Sequence, residues 1–332
     1  MKIVKLLVAA LITLSIGSAC SDEDKLGPEL TLNPPYTLPV RGESEAGDRV
    51  IDFFEKYSSF LLYDFTQKDF QWETVSSGLT YEAVYGDPQY LGDMLDFLDE
   101  IWLDFYPDKF KQEKFPFKIF LADSIAQRPR WEGQPSTYYK ALVRETAVAV
   151  AGMNQDLSQM NAENKRTYKN AVNVAFINFL LNQNKLDIPE AFYAVSDYTK
   201  FASYSQLQIT PDTLRSLGYL PNVEGELTTS EWSPYGTISE WATGTWSMNT
   251  TNDVKSFLFN MVMHGDDFPV FENYPASATV KYANRFTWNY YLQKNADGSY
   301  KWPLIKEKFD ILENYFKEKY QVDLAAIGKK TY

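Results

Sequence analysis

The chain has 332 residues and one histidine, His264 in the stretch MVMHGDDF, and this limits the chemistry before any fold is considered. A Ser-His-Asp site would need that imidazole beside a nucleophile, and no G-x-S-x-G elbow is present. A protein zinc site draws on several His or Cys ligands, and the chain offers one of each, His264 and Cys20. His264 is read as the end of a helix, where an imidazolium interacts favourably with the helix dipole. The 44 acidic residues could supply paired carboxylates for glycoside hydrolysis, but no spacing singles out a pair. NADGSY, near residue 297, lacks the repeated acids of a calcium loop. One more stretch raises a chemical question. NVAFINFLLNQ, residues 173–183, is an apolar run interrupted at Asn178, which is either a core amide or the remnant of a site.

The elements that must position these residues begin after a processed segment. MKIVKLLVAALITLSIGSAC carries two lysines, a short apolar run and small residues before Cys20, the pattern of a bacterial lipoprotein signal. Residues 1–19 are expected to be removed and Cys20 to be lipidated, although Gly17 stands where such signals usually have Leu. Without Lys2 and Lys5, 30 basic side chains face 44 acidic ones, a net charge of 30 − 44 = −14. That balance excludes nucleic acid as a partner and leaves acyl chains, not basic residues, to hold the protein on a membrane. A single cysteine allows no internal disulfide. SDEDK after Cys20 is similar to acidic tags on surface-exposed outer-membrane lipoproteins, and equally to a polar linker.

Residues 20–45, with four prolines, read as a tether. A helical pattern follows, with Val50, Phe53, Phe54, Tyr57 and Leu61 on one stripe. Asp87 and Pro88 open a second helix with Leu91, Met94, Leu95, Leu98 and Trp102 on its apolar face. FPFKIFLADS reads as a buried strand, and YYKALVRETAVAVAGMN as one or two more. A helix capped by Asn161 is apolar on nearly all sides from Val174 to Leu181, which predicts a path through the interior. Residues 184–250 read as loop, and helices are expected over about 252–264, 276–293 and 303–320, with a turn at Asp297-Gly298.

The order of FLLYDFTQKDFQW, DFLDEIWLDFY, FKIFLADS, SPYG at 233–236, NDVKSFLFNMV and the C-terminal LIKEKFDILENYFKEKYQVDLAAI resembles zincin-like lipoproteins of the zinc-binding metallopeptidase type. The resemblance implies an α+β, zincin-like fold with a small mixed sheet, a central buried helix and a helical C-terminal part. It implies one domain over 46–328, in two lobes around 46–183 and 184–328. The family's H-E-x-x-H helix falls on the 173–183 stretch. Two imidazoles one turn apart and an adjacent Glu would there hold zinc and activate its water. In this chain the three positions are Val174, Ala175 and Asn178, and the family's third ligand falls on Asn252, or on Ser256 one turn later. The motif is degenerate, so no cofactor, no metal and no peptidase chemistry of that type are expected. Asn178 is then expected to be hydrogen-bonded inside an apolar interior.

What remains is a scaffold with aromatic residues. Trp232, Tyr235, Trp241 and Trp246 lie in an apparent insertion after SPYG and are the ligand-binding candidates; RPRWEG at 128–133 is a weaker one. The leading expectation is a pseudoenzyme: a lipoprotein anchored in the outer membrane, binding peptide, glycoprotein or glycan, beside a nutrient-uptake complex. A hydrolase using carboxylates on the same scaffold and a structural envelope component are the alternatives.

Overall fold

The computed structural model of the chain describes residues 36–71, 81–129, 133–199, 211–220, 250–267 and 287–332. The chain divides into two units, Met1–Leu38 and Pro39–Tyr332. In the larger unit the described elements are α1 (Glu45–Tyr57), β1 (Phe60–Leu62), α2 (Gln67–Gln71), β2 (Tyr81–Tyr85), α3 (Leu91–Ile101), α4 (Asp108–Lys114), β3 (Lys118–Gln127), β4 (Thr137–Tyr139), β5 (Ala141–Val143) and β6 (Ala147–Val150). They continue as α5 (Ala162–Asn182), α6 (Glu190–Ala194), α7 (Pro211–Ser216), α8 (Thr250–Met263), α9 (Trp288–Tyr291), α10 (Pro303–Tyr315) and α11 (Leu324–Lys329). The fold is α+β with a small mixed sheet.

β3 organises that sheet. Its first half lies between β1 and β6, both parallel to it, and β5 closes the order β1-β3-β6-β5 antiparallel to β6. Its second half leaves this group and pairs antiparallel with β2 and β4. The sequence shows why β3 and β6 are central: Ile119 to Ala122 and Ala147 to Val150 are unbroken apolar runs, and all are completely buried. A chain fully apolar on both faces can only sit where both faces are covered.

The helices pack around rings. Phe176 of α5 meets Trp102, Tyr106 and Phe115 at centroid distances of 5.2, 5.0 and 5.1 Å, all edge to face. Such contacts add about 0.5–1.5 kcal/mol each beyond the area they bury. The expected caps are present: Asn161 accepts the Asn164 N–H at 2.8 Å, and Asp87 accepts the Gln89 N–H at 3.0 Å. The turn at Asp297-Gly298 is also present, with Gly298 at φ +85° and the Ser299 N–H on Asp297.

Several expectations need correction. The first helix does not reach Leu61: Ser58 takes φ 53°, which ends α1, and Phe60–Leu62 are a strand buried against β3. The reason is tertiary, since three apolar residues are compatible with either period. The stretch YYKALVRETAVAVAGMN, residues 138–154, holds most of β4 and all of β5 and β6, three short strands where one or two were expected. The loop-rich stretch 184–250 contains α6 and α7. Pro88 opens a 3-10 turn, Pro88–Tyr90, ahead of α3. Of the helix expected at 276–293, residues 276–286 lie outside the described residues, and Trp288–Tyr291 are helical. The helix expected at 303–320 is α10 up to Tyr315, followed by a π turn over Phe316–Tyr320.

Candidate functional site

Val174 and Asn178 stand one turn apart on α5, so their side chains share a face, and both are half-buried; Ala175, next to them, is buried. None of the three carries an imidazole or a carboxylate. The Asn178 side-chain oxygen is enclosed without a hydrogen-bond partner among the described residues. This corrects the expectation of a hydrogen-bonded amide deep in the interior. The amide that plays that part is Asn173. It is completely buried, accepts the Tyr106 hydroxyl at 3.0 Å, and donates to the carbonyls of Ile101 at 2.9 Å and Lys169 at 2.8 Å. The signal was in the sequence. The stripe Val172, Phe176, Phe179, Leu180 runs back at helical spacing through Asn173 to Lys169, two polar residues on the core face.

Lys169 is fully buried, and its ammonium nitrogen donates to the carbonyls of Val262 at 2.9 Å, Met263 at 3.4 Å and Ile327 at 3.1 Å. Those carbonyls close the C-terminal ends of α8 and α11, where orphan acceptors and the negative end of the dipole gather. Burial pushes the Lys169 pKa well below its ordinary value, with Arg166 adding repulsion. His264 follows the last residue of α8, as expected, but it is buried, and burial pushes its pKa well down, helped by Arg166 and Lys169. A neutral imidazole has no charge to offer a dipole. The buried basic group at this helix end is Lys169, reaching across from another element.

Asn252 lies in the first turn of α8, half-buried, with its carbonyl accepting the Ser256 hydroxyl at 2.8 Å. α8 packs on α5, so the helices carrying Val174, Asn178 and Asn252 are neighbours. Beside Asn252 stands the acid that sequence reading passed over, Asp253. It is buried against Lys308 of α10 at 2.6 Å, and both side chains are fully enclosed. Tyr198 also donates its hydroxyl to Asp253, and Lys308 donates further to the Gly218 carbonyl at 3.0 Å. Burial raises the Asp253 pKa and lowers that of Lys308, with the ion pair opposing both shifts.

α5 also packs on β5. Arg144 N–H bonds to the Ala147 carbonyl and Ala151 N–H to the Lys140 carbonyl. By antiparallel alternation, Leu142 then bonds to β6, while the N–H and C=O groups of Ala141 and Val143 point to the outer edge. Among the described residues no strand pairs with that edge. It is a template for one more strand.

Trp232, Tyr235, Trp241 and Trp246 lie outside the described residues, as do Cys20 and Trp131 of RPRWEG. Among the described residues no group of three or more His, Cys, Asp or Glu could hold a metal ion. No described helix is long and apolar enough to cross a membrane.

No protein-family model matches the chain, and no curated protein matches it. Among solved structures, a crystal structure described as a "putative zinc-binding metallo-peptidase" from Bacteroides caccae superposes with a TM-score of 0.45 and 15% identity. The superposition covers 88% of this chain and 92% of that one. Likeness at that level assigns no residue a role.

Proposed function

We propose that this chain is a binding protein on a zincin-like, metallopeptidase-like scaffold that has no catalytic zinc and does not hydrolyse its ligand. One observation carries the reading. The edge of β5, with which no strand pairs among the described residues, adjoins α5, and α5 carries Val174, Ala175 and Asn178, the positions that the family resemblance would give to two imidazoles and a general base. Val, Ala and Asn side chains at these positions do not fit a zinc ion. An extended peptide added along β5 would bond through the outward N–H and C=O groups of Ala141 and Val143, and side-chain pockets would add selectivity. The aromatic residues Trp232, Tyr235, Trp241 and Trp246 are proposed to widen this capacity to glycoprotein or glycan.

The setting belongs to the same proposal: a lipoprotein held in the outer membrane through Cys20, at the surface or facing the periplasm, beside a nutrient-uptake complex. A net charge of −12 for the whole chain is consistent with partners other than nucleic acid.

Metal content by mass spectrometry on untagged protein, with a casein cleavage assay with and without zinc, tests the inactive scaffold. Substoichiometric metal and intact casein are expected; one tightly held zinc per chain, or cleavage, sinks the reading of Val174, Ala175 and Asn178. Binding is tested with fluorescent casein peptides and Val143→Pro, which removes an outward donor that the sheet does not use. Several-fold weaker binding at unchanged stability is expected. Metabolic labelling with an alkyne fatty acid should mark the wild-type chain and not Cys20→Ser.

A further inference from the structure

Residues 190–199 and 211–220 are fastened to each other. The Ser196 hydroxyl donates to the Leu217 carbonyl at 2.8 Å, and the Tyr219 hydroxyl to the Asp197 carbonyl at 3.4 Å. Gly218, at φ +83°, lets the two parts meet: a Cβ there would lie 2.8 Å from the Ser196 hydroxyl. These residues, with α6 and α7, make up one strap.

The strap lies on α8 and α10, and what it covers is charged. The Asp253–Lys308 pair belongs to the two helices and joins them without the strap. Three of the four rings around the ammonium come from the strap: Phe192 at 5.0 Å, Tyr198 at 5.7 Å and Tyr219 at 4.9 Å, with Phe257 of α8 at 5.4 Å. Gly218 and Tyr198, the remaining polar partners, are also strap residues. One oxygen of Asp253 is buried with no partner among the described residues. At the strap's other end, the Arg215 guanidinium lies 5.1 Å from the Tyr290 ring and 5.4 Å from that of Trp302, and Asp212 faces Lys301 at 3.9 Å.

A permanently sealed contact is stabler with apolar side chains than with an ion pair, because desolvating two charges costs more than their attraction usually returns. An ion pair with a spare carboxylate oxygen suits a surface that is wetted part of the time, since water satisfies that oxygen when the cover is off. Burial disfavours the charged form of both groups, and the strap's cover adds to that cost against the contacts it makes with the pair. We infer that residues 190–199 and 211–220 form a lid that lifts as one unit from α8 and α10, exposing the Asp253–Lys308 pair as a charged floor. The lid lifts while α5 and the sheet stay folded, because α5 is anchored to α8 and α11 through Lys169 and not through the strap. This does not depend on the chain being an inactive peptidase.

Hydrogen exchange of the full chain in native buffer, read by mass spectrometry, tests it. Peptides from 190–199 and from 211–220 are expected to exchange with the same opening constant, at least tenfold above that of α5 and β6. In the double variant Asp253→Leu with Lys308→Met, both lid peptides should slow at least tenfold while α5 is unchanged. Lys308→Met alone, which leaves a buried unpaired acid, should speed both. The inference is overturned if wild-type lid peptides exchange no faster than α5, or if the two lid halves open with different constants. Equal changes of lid and α5 in the double variant would overturn it too. The wild-type measurement decides even if a variant does not fold.

Discussion

Two asparagines five residues apart on one helix have opposite energetics. Asn173 satisfies a tyrosine hydroxyl and two carbonyls in a site closed to water. Its replacement by Ala leaves the Tyr106 hydroxyl and the Ile101 carbonyl unpaired, and about 1–3 kcal/mol of stability is expected to be lost in urea denaturation. Asn178, half-buried with an idle oxygen, has little to lose, and Asn178→Ala is expected to lie within about 0.5 kcal/mol of wild type. Equal losses would mean that the buried polar contacts of α5 are wrongly placed. His264 makes a prediction in pH. Its folded pKa is pushed below the unfolded value, so the stability it contributes is present above about pH 6.5 and is lost as pH falls below it. His264→Phe should flatten the decline in unfolding free energy between pH 7 and 5. The wild-type imidazole should show no titration near pH 6.5 by NMR.

At the scale of elements, the C-terminal ends of α8 and α11 approach so closely that Gly328 has no room for a side chain: a Cβ would overlap the carbonyl oxygens of Met261 and His264. Those are backbone atoms and cannot turn aside. Gly328→Ala should cost about 1–3 kcal/mol, measured as a lower urea midpoint at unchanged slope. The helices themselves were partly legible, because Asn161 caps α5, Pro303 opens α10, and Asp87 with Pro88 marks the turn that leads into α3. The short strands were less so. Phe60–Leu62 is three residues long and reads equally well as the end of α1, and β4 and β5 are as short. β2 was not anticipated at all. Its last two residues, Val84 and Tyr85, are both exposed, and the register against β3 shifts between them, which hides the alternation a strand normally shows.

For the whole molecule, an excess of 12 negative charges acts against compactness through self-repulsion. Its thermal midpoint should therefore rise when salt goes from low to physiological, a shift calorimetry reads directly. A fall would mean that surface pairs such as Arg49 with Asp96 and Asp99 outweigh the repulsion. By itself the sequence determined the caps at Asn161 and Asp87, the turn at Asp297-Gly298 and the lack of imidazole and carboxylate at Val174, Ala175 and Asn178, because these depend on residue type and local spacing, whereas the α+β class was read from the family resemblance. Only the tertiary structure decided which polar residues are enclosed. Asp253 and Lys308 read as ordinary helix positions until distant segments close over them, and for Lys169 and Asn173, which the stripe of α5 puts on the core face, only the fold fixes the partners, since burial is a property of what packs on a side chain and not of its neighbours in the chain. The partners of Lys169 lie 93 to 158 residues away, and those of Lys308 lie 55 and 90 away.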